Sequence, residues 1–488
     1  MSTPHGQPTL LLPPRPSQPA PSQPAPWRPG LWLAGLLGVA FGGLMLAGSW
    51  PLALLALVAV AAGVTVMVQP LRGLLLFCLV APVIPWTTFS LGVRITVSEA
   101  LLAVTWLGVL WQLLLGRVRW PRGPTERWMW WLMAWSVVPL VAGQLMVTAE
   151  GAGPVNWVRW LLNLSLLFLV PMLAGTRETR ERLIVCLLLG YLGLVLLSVG
   201  LFAATRDALA MKPILTALRY AHPEALDDIF GADPARMASP WVHPNATGGA
   251  LLLGVPLALF YGVAHTGWRR ALGYTVALLG AAGIVFSGSR GALLCMGALV
   301  AWLAARRVPH AGRMLVIGAV LAAVMLAVYA PAQKRLLSLF SSSDVSTGVR
   351  FDEYANYPRA IARYPLGVGF KVDPPPDADL LGISNLWLNY AYKLGVPAAL
   401  LFIGLTVAWW REVRRLGDLT HIDAVTAMRL GSVSSIVVAL FTGPIDHYFS
   451  FTQVLLALFW LFMAISLQEA RDVRAACPAP LPPAPAPR

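Results

Sequence analysis

Residues 182–203 read Arg182-Leu-Ile-Val-Cys-Leu-Leu-Leu-Gly-Tyr-Leu-Gly-Leu-Val-Leu-Leu-Ser-Val-Gly-Leu-Phe-Ala203. After Arg182 the stretch carries no charge. A helix rises about 1.5 Å per residue, so about 20 apolar residues cross the ~30 Å hydrocarbon core of a bilayer. This stretch therefore predicts a membrane-crossing helix, and it is one of many. Further apolar runs lie near 31–48, 51–68, 71–86, 97–116, 128–147, 155–174, 246–264, 269–287, 290–305, 312–330, 385–410, 426–443 and 449–467. The third and tenth of the fourteen are short. The expected fold class is all-α, a polytopic membrane protein of 12–14 transmembrane helices with two long outer loops carrying short helices.

Composition agrees. The 488 residues are 57% hydrophobic and 12% charged. A soluble globular chain carries about 25% charged residues. Disorder, collagen and a secreted disulfide scaffold are excluded as whole-chain readings. Cys78, Cys186 and Cys295 lie in apolar runs and Cys477 in the C-terminal tail, with no Cys-x-x-Cys pair to suggest zinc.

The net charge of +14 would suggest nucleic acid in a soluble protein. In a membrane protein it first marks cytoplasmic loops. With the N-terminus inside, the cytoplasmic connections hold Arg72, Arg117, Arg119, Arg122 and Arg127, then Arg177, Arg180 and Arg182, then Arg269, Arg270, Arg306, Arg307 and Arg313, and finally Arg411, Arg414, Arg415 and Arg429. The opposite short connections hold only Arg94, Arg159 and Arg290. Both termini are expected in the cytoplasm, with no signal peptide, and no nucleic acid partner is expected. The organisation reads as a disordered Pro-rich segment 1–30, N-terminal helices 31–203, an outer loop 204–245, central helices 246–330, a second outer loop 331–384, C-terminal helices 385–470 and a disordered tail 471–488.

Unusual polar residues gather on the outer side. Ser239-Pro-Trp-Val-His-Pro-Asn-Ala-Thr-Gly-Gly249 leads into a helix. There Asn245 or Thr247 would cap, or the helix N-terminus would meet an anion or sugar. Ser287-Gly-Ser-Arg-Gly291 is a tight turn between helices. Its Arg290 either snorkels at the interface or binds phosphate, which a guanidinium matches bidentately. Ser346-Thr-Gly-Val-Arg-Phe-Asp-Glu-Tyr354 runs on through Arg359 and Arg363 to Pro365-Leu-Gly-Val-Gly369. On a helix Arg350, Tyr354 and Tyr357 share one face, and Arg359 and Arg363 another. Such a segment suits a sugar-phosphate or a lipid interface.

These motifs, in this order and followed by Ser384-Asn385 and, after nine residues, Gly395, resemble the O-antigen ligase and O-antigen polymerase superfamily. The resemblance spans roughly residues 70–467, with its specific part between about 237 and 400. It implies an integral inner-membrane glycosyltransferase of the GT-C class, working without a metal or other cofactor on the periplasmic face. The donor would be an undecaprenyl-diphosphate-linked glycan. The acceptor would be another glycan, a lipid A-core sugar or a different hydroxyl. The family's diphosphate-binding arginines map to Arg290 and Arg350, with Arg159 a looser candidate. Asn245, Tyr354, Arg359, Arg363 and Asn385 complete the expected binding set.

The chain departs from the ligases at one position. Where they carry a histidine before the asparagine, this chain has Ser384. A serine has no useful basicity at neutral pH. That departure shifts weight toward a polymerase or a divergent ligase. Attack of a sugar hydroxyl on an anomeric carbon expels a diphosphate, and fixed arginines would stabilise the growing charge. Candidate bases are His243, Asp352 and Glu353, with His222 and an Asp446-oriented His447 behind them. Asp377 and Asp379 are the nearest approach to a cation site. A non-catalytic carrier or transporter of lipid-linked glycan, or a pseudoenzyme, is the alternative reading. Lys393 is its main mid-helix charge.

Overall fold

A computed structural model describes residues 39, 50–91, 93–148, 151–231, 236–328, 345–371, 383–415, 419 and 422–476. The expectations for residues 1–30 and 31–48, for Asp377 and Asp379 and for the tail beyond Ala476 lie outside them. The chain divides into two compact units, Met1–Val64 and Thr65–Arg488. In the first, residues 50–64 are helical. Apart from the helical stretch Val60–Val68, which runs across this boundary, everything below concerns the second.

The protein is an all-α polytopic membrane protein. Among the described residues nine helices are long and apolar enough to cross a membrane: Val97–Leu114, Pro124–Met146, Gly153–Leu173, Arg177–Thr205, Pro244–Ala264, Gly267–Ser287, Val396–Val413, Ala424–Thr442 and Gln453–Ala475. A tenth follows if Val60–Val68 and Pro70–Val80 form one broken span.

The expected 12–14 refers to the whole chain, and the run 31–48 falls outside the described residues; within them, local chemistry shortens or divides several runs. The run 71–86 yields only the helix Pro70–Val80 before Pro82 and Pro85. The run 290–305 forms Arg290–Ala305, sixteen residues long. The run 385–410 breaks at Gly395 into Leu386–Leu394 and Val396–Val413. Gly395 has φ +83, a left-handed value that favours glycine. The break is built into the fold. Val368 and Gly369 donate their backbone N–H groups to the carbonyls of Tyr392 (2.9 Å) and Lys393 (2.8 Å). The Pro365–Gly369 turn therefore seals the end of the interrupted helix.

The bundle has a centre and a rim. In the apolar 18-residue stretch of each helix, 94% of residues are buried in Gln453–Ala475 and 89% in Pro244–Ala264, against 28% in Pro124–Met146. The first two form the core. Pro124–Met146 turns Trp130, Trp131 and Leu145 outward, as a lipid-facing helix does. Polar side chains tie the helices together: Trp409 Nε1 donates to Ser466 Oγ at 2.8 Å, and Tyr191 OH to the Ala250 carbonyl at 3.0 Å.

At one end an ion-pair network closes the bundle. Arg471 reaches Glu126 (2.5 Å) and Glu412 (3.0 Å), and Thr125 Oγ1 donates to Glu412 at 2.6 Å. Arg180 pairs with Glu469 at 2.6 Å and with Asp472. The last helix runs to Ala476, so Arg471 and Asp472 are helical residues of this network, where the sequence reading begins a tail at 471.

The sequence reading also lacks the only sheet among the described residues. Thr88–Leu91 and Val93–Thr96 pair antiparallel, with Thr88 opposite Thr96. Thr96 then caps the helix Val97–Leu114. Its hydroxyl accepts from the Glu99 N–H, and the Glu99 carboxylate accepts from the Thr96 N–H.

Candidate functional site

Four separated segments converge on the turn Gly443–Tyr448. The first is the entry to Pro244–Ala264. His243 is the N-cap: its Nδ1 accepts the Asn245 N–H at 3.3 Å. The expected caps, Asn245 and Thr247, do other things. Thr247 Oγ1 pairs with Ser239 Oγ at 2.6 Å, and Asn245 Oδ1 accepts from Arg236 at 2.8 Å. Val242, before the cap, sits at φ +63. A β-branched residue there stores about 1–3 kcal/mol of strain.

Arg236 also donates its Nε–H to the Ser287 carbonyl at 2.7 Å. It therefore joins this first segment to the second, Ser287–Gly291. Gly288, at φ +61, ends one helix, and Ser289 caps the next, with Arg290 as its first residue. Close backbone approach explains the glycine pair that follows the cap. A Cβ on Gly248 would come within 2.9 Å of Ser289 and Ala292, and one on Gly249 within 2.8 Å of the Tyr448 ring. One on Gly291 would meet Ile445 at 2.9 Å, so the start of the Arg290 helix packs beside the turn.

The third segment is the helix Val345–Arg363. As expected, Arg350, Tyr354 and Tyr357 share a face, and that face meets protein. Arg350 stands 3.7 Å from Asp446 Oδ2. Tyr354 OH donates to the Pro444 carbonyl at 3.3 Å and Tyr357 OH to the Leu388 carbonyl at 3.2 Å. Glu353 turns into the fourth segment. Its carboxylate accepts the Ser384 N–H at 2.8 Å and the Ser384 hydroxyl at 3.2 Å. Asn385 caps Leu386–Leu394 through Oδ1 and donates its amide to the Pro444 carbonyl at 3.4 Å.

Asp446 is the hub. It is buried, accepts the His447 N–H at 2.8 Å and hydrogen-bonds the Tyr448 hydroxyl. Burial, with the Asp446 charge beside it, pushes the Tyr448 phenol well up and keeps it protonated. The expected orientation of the His447 ring by Asp446 is looser than a hydrogen bond: Nδ1 lies 3.4 Å from Oδ1.

His243 keeps a solvent-accessible ring in this polar recess. Loss of hydration among the surrounding protein atoms, then the Arg236 charge, hold it below the ordinary imidazole range, so it is neutral at neutral pH. Nδ1 accepts a hydrogen bond, so the proton of the neutral ring is on Nε2. Nε2 is therefore a donor, and this tautomer does not suit His243 to the expected role of base.

The other expected residues separate from the cluster. Asp352 and Arg359 are exposed, and Arg363, also exposed, lies over the Tyr364 ring. His222 is exposed beside Glu224. Arg159 belongs to a different constellation: it holds Glu99 through Nε (2.8 Å) and NH2 (3.0 Å) and reaches Gln453 at 2.9 Å. Arg236 is the residue that sequence reasoning missed. Its signal was present: an arginine in the loop 204–245, three residues before the Ser239 motif, against the charge trend of that side.

Residues 275–403 match the family model described as O-antigen ligase, and this O-antigen ligase domain supports the O-antigen ligase and polymerase superfamily that the motifs resemble. At the family level it supports a role in O-antigen ligation or polymerisation and activity of glycosyltransferase type. The match includes Arg290, Arg350, Glu353, Ser384 and Asn385 and leaves out Arg236, His243 and the turn Gly443–Tyr448. No curated protein matches the chain.

Proposed function

We propose that the cluster around Asp446 transfers a glycan from a lipid-linked diphosphate donor to a sugar hydroxyl, on the outer face of the cytoplasmic membrane. The observation that carries this reading is the convergence on one short turn of Arg236, the Arg290 helix, Arg350 and the Glu353–Ser384 pair. In such a transfer the acceptor oxygen bonds to the anomeric carbon. The bond to the diphosphate oxygen breaks, and its electron pair leaves with the diphosphate.

The leaving group gains negative charge as the transition state forms. Arg236, Arg290 and Arg350 supply guanidinium donors for it, in a recess where burial strengthens each interaction. Bonds to the Ser287 carbonyl and Asn245 hold Arg236 in place before substrate arrives. His243 adds an Nε2–H that stays in place at neutral pH, while the Tyr448 hydroxyl holds Asp446.

The acceptor proton goes to Glu353. Its carboxylate grips the hydroxyl of Ser384, which stands where the ligases have histidine. A buried carboxylate placed there supplies the basicity that serine lacks.

The test is reconstitution. Purified protein, given a carrier-diphosphate glycan and no other enzyme, is expected to produce a lengthened or transferred glycan with release of the carrier diphosphate. Carrier that stays fully loaded with glycan overturns the reading in favour of a non-catalytic carrier.

A further inference from the structure

A second polar constellation lies inside the bundle and shares no residue with the cluster at Asp446. It is a cavity of about 210 Å³ between the helix Gly153–Leu164, the Gly369–Phe370 turn and the segment Phe451–Leu456. Arg159, Trp160, Asn163, Phe370, Lys393 and Phe451 contribute to its wall.

Three observations define what it accepts. The first is Asn163. It is 1% exposed, and its amide N–H donates to the Arg159 carbonyl at 2.9 Å. Its Oδ1, also buried, has no hydrogen-bond partner in the structure. An unfilled buried acceptor costs about 1–3 kcal/mol, so a donor is expected to complete it. Asn163 stands about 15 Å along its helix from Gly153, at a depth where a polar group inside a membrane bundle marks a functional site.

The second is the aromatic wall. Trp160 and Phe451 stack at 6.0 Å and 14°, with Phe370 5.4 Å from Trp160. The third is the state of Arg159. Two of its donors grip the Glu99 carboxylate and one of them also reaches Gln453. Arg159 is thus held by protein groups, and the other cation of the wall, Lys393, lies over the Phe451 ring at 5.9 Å.

A hydroxyl donor for Asn163 Oδ1 and an apolar face for the aromatic wall together describe a sugar ring. We propose that this cavity binds one neutral pyranose unit of the glycan. A ring hydroxyl donates to Asn163 Oδ1 and the C–H face lies on the aromatic wall. The volume is below the ~300 Å³ at which drug-sized pockets begin, which fits one ring and excludes a chain. The inference rests on the reading of the protein as a glycan-handling one. It adds a subsite that selects the sugar, apart from the arginines that meet the diphosphate.

The experiment is saturation-transfer NMR on the purified full-length protein. The probes are methyl glucoside, methyl galactoside, methyl rhamnoside and N-acetylglucosamine, each with and without inorganic pyrophosphate. At least one neutral pyranoside is expected to give ring C–H signals that pyrophosphate leaves in place. Asn163→Leu keeps the branched shape and removes the acceptor, and it is expected to cut the signal at least fivefold. Phe451→Leu provides a second variant should Asn163→Leu fail to fold.

Equal signals in wild type and both variants overturn the proposal, as do no signal with any pyranoside and displacement by pyrophosphate. Glycan transfer is scored separately by carrier release. A bound sugar without carrier release therefore leaves the pocket standing and removes the transferase reading, and carrier release without sugar binding does the reverse.

Discussion

The turn at Asp446 and the network at Arg471 use the same residue types in opposite ways. At Arg471 the charges are closed on themselves. Glu126 is fully buried, and Arg471 binds it with two nitrogens at 2.5 and 2.8 Å while also reaching Glu412. At Asp446 the arginine pair is loose, 3.7 Å, and His243 stays accessible behind a strained Val242. The first network locks helices together. The second is where the proposed transfer site lies, and the two can be told apart by what each loses on substitution.

The comparison can be broken first at the fastening. Arg471→Met is expected to destabilise the protein by about 3–5 kcal/mol, because Glu126 and Glu412 would be left buried without their partner. A detergent unfolding midpoint close to wild type would remove the distinction. The variant's surviving folded fraction should transfer glycan at the normal rate.

The converse holds at the site. Arg290→Ala and Arg350→Ala are each expected to lower carrier release about 10²–10³-fold, the loss typical of removing one transition-state donor. Their unfolding midpoints should stay near wild type. Two active variants would return Arg290 and Arg350 to the interface role that their position also allows.

Glu353→Gln sharpens the assignment within the site. It keeps a hydrogen-bonding group for Ser384 and removes the base, with an expected loss of about 10²-fold in turnover. Full activity in this variant, with loss in His447→Ala, would move the base to the Asp446–His447 side.

The smallest effect concerns His243. Its ring resists protonation, so its titration midpoint by NMR should fall below the ordinary value of 6.5. A depressed imidazole stabilises the fold fully above that value and loses the contribution as pH falls through the folded midpoint. A midpoint above 6.5 would contradict the neutral, Nε2-protonated ring.

Residue patterns made much of this legible. Apolar runs near 20 residues mark spanning helices because lipid leaves backbone groups no partner except their own helix. The motif residues Arg290, Arg350, Glu353, Ser384 and Asn385 stood out as polar groups in an oily chain. The helix count was less legible. Gly395 and the prolines after Val80 interrupt runs that hydropathy alone reads as continuous. Arg236 escaped because nothing in linear order ties it to Ser287, fifty-one residues away.

The sequence by itself determined the class of the molecule, an oily helical bundle with few charges. Hydropathy and charge act locally, residue by residue, so they can be read without coordinates. Only the tertiary structure decided which charges are partners. It placed Arg159 with Glu99, gave His243 the helix cap and joined Glu353 to Ser384. Those pairings depend on helix packing across long sequence separations, which residue-by-residue hydropathy and charge do not record.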